Sequence, residues 1–158
     1  MNDPRLPRRV IAGVIAALAL TSCSLLDPEE GTVPTKTIDR SAQTDPAPVR
    51  KRTHGLPEDA EVLWFSGTLG SGAPGPSTYW VDARVTTTEQ ALAELRALCP
   101  DGTEGAPDVV AELAQELDGE DYVDCPAAAA EIAADGWETR VWLARSSPVM
   151  VITLVGQG

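Results

Sequence analysis

The C-terminal part of this 158-residue chain, residues 58–158, predicts an α+β fold with helices packed on one face of a small, mostly antiparallel sheet. Two observations predict it. Short runs with strand composition lie at both ends of this part, and three stretches with helical periodicity lie between them. The expected order of elements is β-β-α-α-α-β-β. Because strands and helices are segregated along the chain, antiparallel pairing is favoured over parallel βαβ units.

The first two strands are predicted at residues 62–65 and 79–85, separated by a segment rich in Gly and Pro. The second of them shows the two-residue period of a half-buried strand. One set of its side chains should face the core, namely Tyr79, Val81, Ala83 and Val85. The alternate set should lie on an open face of the sheet, namely Trp80, Asp82 and Arg84.

Three helices are predicted in the middle of this part. The first opens with a capping box formed by Thr87 and Gln90 and ends before Pro100. The second carries apolar residues at helical spacing, namely Val110, Leu113, Ala114 and Leu117. The third is rich in alanine and covers residues 126–134.

Two final strands are predicted at residues 137–145 and 149–155, joined as a hairpin by the Ser-Ser-Pro sequence at residues 146–148. The first of these strands also alternates. One set consists of Thr139, Val141 and Leu143, and the opposing set consists of Glu138, Arg140 and Trp142.

The first 23 residues have the features of an export and lipidation signal. Three arginines precede an apolar run of 11 residues, 10–20, which is too short to span a bilayer. The run ends in Leu20-Thr21-Ser22-Cys23, and this sequence resembles the lipobox of bacterial lipoprotein precursors. The resemblance implies cleavage after Ser22 and attachment of fatty acyl chains, such as palmitate, to Cys23. The protein would then be held at the outer face of the cell membrane by its lipid.

Residues 23–57 are predicted to be the lipidated N-terminus and a flexible tether. They contain five prolines and few large apolar side chains, so they cannot bury enough surface to offset the entropy of ordering. The basic triplet at residues 50–52 either contacts anionic lipid or keeps the linker soluble. The predicted organisation is a signal peptide at 1–22, the tether at 23–57 and a domain at 58–158.

The three cysteines predict one disulfide bond. Lipidation of Cys23 leaves Cys99 and Cys125, and these two should pair outside the cytoplasm. Cys99 closes the first predicted helix, and Cys125 immediately precedes the third. The bond would therefore staple the helical layer, and we expect its role to be structural.

Acidic residues dominate the predicted domain. The chain carries a net charge of −12, and residues 56–158 alone carry −14, since they hold 18 acids and four arginines. This charge argues against a nucleic-acid partner, because binding a phosphate backbone needs clustered positive charge. Nine of the acids lie in residues 101–124 without a base. They form a solvated acidic surface or, as an alternative, a calcium site.

The sequence offers no catalytic residue, cofactor motif or metal-ligand pattern. The single histidine, His54, lies in the predicted tether, where no scaffold holds its geometry. The chain has no GxSxG, HExxH or phosphate-binding glycine loop. Two of the many acids could still act as a glycosidase pair on an envelope polymer, so a small hydrolase is the alternative.

Two tryptophans and two arginines of the predicted strands form a candidate ligand platform. The strand periods place Trp80, Arg84, Arg140 and Trp142 on one open face of the sheet. Exposed indole rings and guanidinium groups suit a sugar ring or a peptide. In the other interpretation of the same pattern, the tryptophans pack across strands, where they cover arginine stems or lie under a loop.

Together these features predict a lipid-anchored, extracytoplasmic protein of the bacterial envelope with a binding or supporting role. Its expected partners are the membrane, through the lipid anchor, and an envelope protein, peptide or glycan. A hydrolase and a calcium-dependent binding module remain the alternatives.

Overall fold

Seven strands form one antiparallel sheet in the computed structural model, which describes residues 35–70 and 77–157. The strands are β1 Lys36–Ile38, β2 Glu61–Leu69, β3 Thr78–Thr86, β4 Thr103–Glu104, β5 Tyr122–Asp124, β6 Trp137–Ala144 and β7 Val149–Gln157. The helices of the same residues are α1 Ala47–Arg50, α2 Glu89–Ala97, α3 Ala111–Ala114 and α4 Pro126–Ile132. A 3₁₀ turn, Gln115–Leu117, continues α3. The predicted signal peptide and lipobox lie outside the described residues.

The strand order in the sheet is β1-β2-β3-β7-β6-β5-β4, and every neighbouring pair is antiparallel. The predicted antiparallel sheet is thus confirmed, and its four predicted strands form the centre. The expected order of elements is incomplete, because β1, β4 and β5 flank these four strands. Each of the three has only two or three residues, too few to show the alternation that identifies a strand.

Helices cover both faces of the sheet, so the prediction of helices on one face is wrong. On the first face, the core side of β3 packs against Leu92 of α2 and Ala128 of α4. On the second face, Trp80 lies in a cluster with Leu113 of α3, and Trp142 lies in a cluster with Leu117. The apolar spacing of the middle segment was visible in the sequence, but the face that it would cover was not.

Residues 35–57 belong to the folded domain, which corrects the predicted tether in this range. β1 pairs with the end of β2, and Gln43 forms a further bridge with Trp64. Val49 in α1 is fully buried in the core of the first face. Two buried apolar residues, Val49 and Leu56, and a three-residue strand suffice because the rest of the core and sheet is supplied by other elements. The low apolar content of residues 35–57 therefore does not reveal that they belong to the domain.

Gly67 explains how β1 can lie so close to the sheet. A Cβ atom at this position would collide with the carbonyl oxygen of Thr37 in β1. Only glycine leaves room for that backbone.

The helix ends agree with the sequence to within a few residues. The N-cap of α2 is Thr88, one residue after the predicted cap, and its side chain accepts a hydrogen bond from the Ala91 N–H at 3.2 Å. Cys125 precedes α4, which begins at Pro126. Cys99 and Cys125 form the predicted disulfide, with 5.7 Å between their Cα atoms. The bond joins α2 to α4 on the first face. None of the described helices is long and apolar enough to cross a membrane.

Candidate functional site

The predicted platform is not an exposed surface. Trp80 and Trp142 lie on the same face, as expected from the strand periods, but their exposed fractions are 0% and 2%. The Arg140 guanidinium lies 4.6 Å from the Trp142 ring centroid and pairs with Asp124 at 2.6 Å. Arg84 donates a hydrogen bond to Thr86. Both rings are instead covered by α3 and the turn that follows it, and the Arg140–Trp142 contact lies within β6. The prediction of an open platform there is wrong.

The most deeply buried carboxylate of the described residues belongs to Asp82, also on the second face. Both of its oxygens lie 2.8 Å from Lys36 Nζ, and one also accepts the Val110 N–H at 2.9 Å. Burial raises the pKa of Asp82 above its usual value, although Lys36 and the Val110 N–H oppose that shift. Because Asp82 has no exposed surface, it cannot reach a polymer as the acid of the hydrolase alternative.

The acid-rich segment 101–124 forms no ligand cluster in the described part of the chain. No group of three or more His, Cys, Asp and Glu side chains there could hold a metal ion. Glu104 instead pairs with Arg145 at 2.7 Å, and Glu120 accepts a hydrogen bond from Ser146. The calcium alternative therefore has no support from the geometry of these residues.

A cleft of about 410 Å³ lies on the first face, beside β2, the start of β3 and the segment that follows β1. It falls within the range of about 300–1,000 Å³ that is typical of small-molecule sites. The charged and aromatic residues that line it are Asp39, Arg40, Arg52, Trp64, Tyr79, Trp80 and Trp137, although the Trp80 side chain itself is buried on the second face. We call it the aromatic cleft. It is the candidate functional site.

Arg52 and Trp137 form one side of the aromatic cleft. The Arg52 guanidinium lies 5.0 Å from the Trp137 ring centroid, within the distance of a cation–π interaction. Arg52 Nη1 donates a hydrogen bond of 2.7 Å to the Pro48 carbonyl, which fixes the side chain to α1. Trp137 packs directly on β7, since a Cβ atom added to Gly156 would lie 2.8 Å from the indole ring.

Tyr79 and Trp64 contribute two further rings. Trp64 is buried, and its indole N–H donates to the Asp45 carbonyl at 2.8 Å. Tyr79 is 39% exposed and is opposite Gly156 in the register of β3 and β7. The sequence predicted that Tyr79 would face the core. Tyr79 does lie on the same face of β3 as Val81, as predicted. It is close to the end of the sheet, however, so its ring remains in contact with solvent.

Unpaired positive charge is concentrated beside the aromatic cleft. Among the described residues, five bases form no ion pair with a carboxylate, namely Arg40, Arg50, Lys51, Arg52 and Arg84. Four of the five lie in residues 40–52, and two of these, Arg40 and Arg52, line the cleft. Elsewhere, Lys36, Arg96, Arg140 and Arg145 each pair with a carboxylate. The cleft therefore offers aromatic surface together with two guanidinium groups that form no ion pair with a carboxylate of the described residues, although Asp39 also lines it.

Sequence patterns did not point to this site. Arg52 was placed in the tether, and Trp137 was only the first residue of a predicted strand. Their proximity depends on the chain returning from β1 across the first face. The sequence did hold one signal for the aromatic side of the cleft: Tyr79 and Trp137 lie at or next to the start of a strand, where a ring can remain exposed. No protein family matches the chain, and no curated protein or solved structure is significantly similar to it.

Proposed function

We propose that this protein is a lipid-anchored protein of the bacterial envelope, exposed on the outer face of the cell membrane, which binds an anionic ligand in the aromatic cleft. The lipobox sequence at residues 20–23 supports the anchor. The pairing of Cys99 with Cys125 independently supports an oxidising compartment, because disulfides persist there and are rare in the cytosol.

The observation that carries the binding function is the contact between Arg52 and Trp137 beside the exposed ring of Tyr79. Guanidinium groups form strong hydrogen bonds with carboxylates and phosphates, and aromatic faces pack against sugar rings and other flat groups. A peptide or glycan that carries an acidic group fits this combination.

Binding without catalysis is favoured over hydrolysis by the lining of the aromatic cleft. A glycosidase needs two carboxyl groups that flank the scissile bond. Among the described residues that line the cleft, only Asp39 carries one.

The anchor is tested by mass spectrometry of the protein recovered from its own membrane. We expect the mature chain to begin at Cys23 with a diacylglyceryl group, and Cys23→Ser to prevent both processing and acylation. Recovery of the natural protein from the cytosol with residues 1–22 attached would contradict the anchor.

The binding function is tested by tryptophan fluorescence of the full chain, titrated with glucuronate, glycerol phosphate and glucose. We expect the two anions to change the emission more than the neutral sugar does. Trp137→Phe should remove most of the change, leaving at most a response of Trp64, whereas Trp142→Phe, which alters a buried ring on the second face, should retain it. No response to either anion would overturn the proposal.

A further inference from the structure

We infer that the ligand of the aromatic cleft is the phosphate headgroup of an anionic phospholipid, in the same membrane that holds the lipid on Cys23. This inference rests on the proposed function. It implies that the domain lies with one end of its sheet against the bilayer, and four features of the chain support that orientation.

The chain enters the domain one strand position from Tyr79, which lines the aromatic cleft. Lys36, the first residue of β1, is opposite Leu69, the last residue of β2. The Gly70 N–H donates to the Thr35 carbonyl at 3.2 Å, so the preceding residue also lies there. Tyr79 is opposite Thr68, only one position from Leu69.

The segment between the anchor and this end is short. Lys36 follows Cys23 by 13 residues, which span at most about 45 Å when fully extended. The predicted tether, ending at residue 57, would have allowed more than twice that distance. This length is the upper limit of the distance between Cys23 and the entry end of the sheet.

The distribution of charge favours the same orientation. Residues 35–57 hold five bases and two acids, whereas residues 101–124 hold nine acids and no base. The acidic segment includes β4 and β5, at the opposite edge of the sheet from β1, and α3 on the second face. Its residues Asp108 and Glu112 border Lys36 and Leu69, but on the second face, whereas Arg40 and Arg52 line the aromatic cleft on the first. At physiological ionic strength, charges interact weakly beyond about 8 Å, so a headgroup in the cleft is affected mainly by these two arginines.

The chemistry of the aromatic cleft also fits a headgroup. Arg40 is exposed and can present two N–H donors to a phosphate, in the fork geometry that a lysine lacks. Arg52 can add donors from Nη2, because its Nη1 already donates to the Pro48 carbonyl. Tyr and Trp side chains are enriched at the level of lipid headgroups because their rings are amphipathic. Tyr79 and Trp137 supply such rings on the side of the cleft that reaches solvent.

The experiment uses the acylated full chain, reconstituted into vesicles of phosphatidylcholine alone or mixed with phosphatidylglycerol. A lipid with a spin label on its headgroup quenches nearby tryptophans. We expect stronger quenching in the vesicles that contain phosphatidylglycerol, and Trp137→Phe should remove most of this increase. Equal quenching in the two compositions would overturn the inference.

Charge variants give the matched control. Arg40→Gln with Arg52→Gln should reduce the dependence on phosphatidylglycerol at least fivefold, since each basic residue near an anionic surface strengthens binding by roughly that factor. Arg145→Gln is the control. It also removes one positive charge, but from a side chain that pairs with Glu104, so it should leave the dependence of quenching on phosphatidylglycerol unchanged. If the double variant does not fold, the single variant Arg40→Gln tests the inference, because Arg40 is exposed and its replacement should not disturb the fold. Equal effects of Arg40→Gln and Arg145→Gln would contradict the inference.

Two further measurements, glycerol phosphate binding and mass spectrometry of Cys23, separate a failure of this inference from a failure of the proposed function. If glycerol phosphate binds but phosphatidylglycerol has no effect, the cleft binds soluble phosphate and the membrane inference is overturned. If mass spectrometry finds no lipid on Cys23, the proposed anchor fails. If the lipid is present but quenching does not depend on headgroup charge, only the headgroup inference fails.

Discussion

The ammonium group of Lys36 lies 2.8 Å from each carboxylate oxygen of Asp82, and the Asp82 side chain has no solvent-exposed surface. The contact joins β1 to β3 across the second face. The Val110 N–H donates to the same carboxylate, and Lys36 also donates to the Asp108 carbonyl at 3.0 Å. Three segments that are distant in sequence therefore meet at one buried charge.

Replacing Lys36 should destabilise the fold strongly. We expect Lys36→Met to lower the free energy of unfolding by about 3 kcal/mol at neutral pH, because it leaves Asp82 buried without its counterion. Urea denaturation measures this change. Lys51→Met is the matched control, since Lys51 is exposed and has no carboxylate partner in the described residues. A loss no larger than that of the control would show that the ion pair contributes little.

The stability contributed by Asp82 should depend on pH. Its folded-state pKa is raised above the usual value near 3.8, mainly by burial. Its protonation therefore favours the fold: this contribution is complete below the usual pKa and is lost as the pH rises through the folded-state pKa. We expect the stability of the native protein relative to Asp82→Asn to be greater at about pH 3.5 than at about pH 7. A difference that stays constant between these two pH values, or that grows at neutral pH, would contradict this assignment.

The disulfide should stabilise the domain by constraining the unfolded chain. Cys99 and Cys125 are 26 residues apart, and closing a loop of that length contributes about 3 kcal/mol in the chain-entropy description. We expect Cys99→Ala with Cys125→Ala to lower the free energy of unfolding by about this amount in denaturant titrations. Cys23→Ser leaves the bond intact and should have no such effect. Equal stability of the double variant and the native protein would argue against the bond.

Gly67 should not tolerate a side chain. Gly67→Ala places a methyl group against the Thr37 carbonyl, so β1 must move away from the sheet. We expect a loss of about 1–3 kcal/mol in denaturant titrations. Gly105→Ala is the control, because a Cβ atom there meets nothing within 4 Å. The losses from Gly67→Ala and Lys36→Met should not add, because both detach β1. Full additivity would contradict this coupling.

The central part of the fold could be predicted because its elements are long. β3 and β6 span enough residues for their alternation to assign both faces correctly, and Trp80 does oppose Val81. The burial of Trp80 could not be predicted, since it depends on α3 crossing to the second face. The aromatic cleft could not be predicted either, because Arg52 and Trp137 are brought together by a segment with almost no apolar pattern.

The first strand has a further consequence for how the protein behaves at high concentration. β2 is nine residues long and mostly apolar, and β1 together with Gln43 occupies part of its outer hydrogen-bonding edge. A truncated chain that begins at residue 58 would uncover that edge, and an open edge of this kind pairs readily with other copies. Aggregation of such a fragment would reflect the missing edge cover, even though most of the core residues remain.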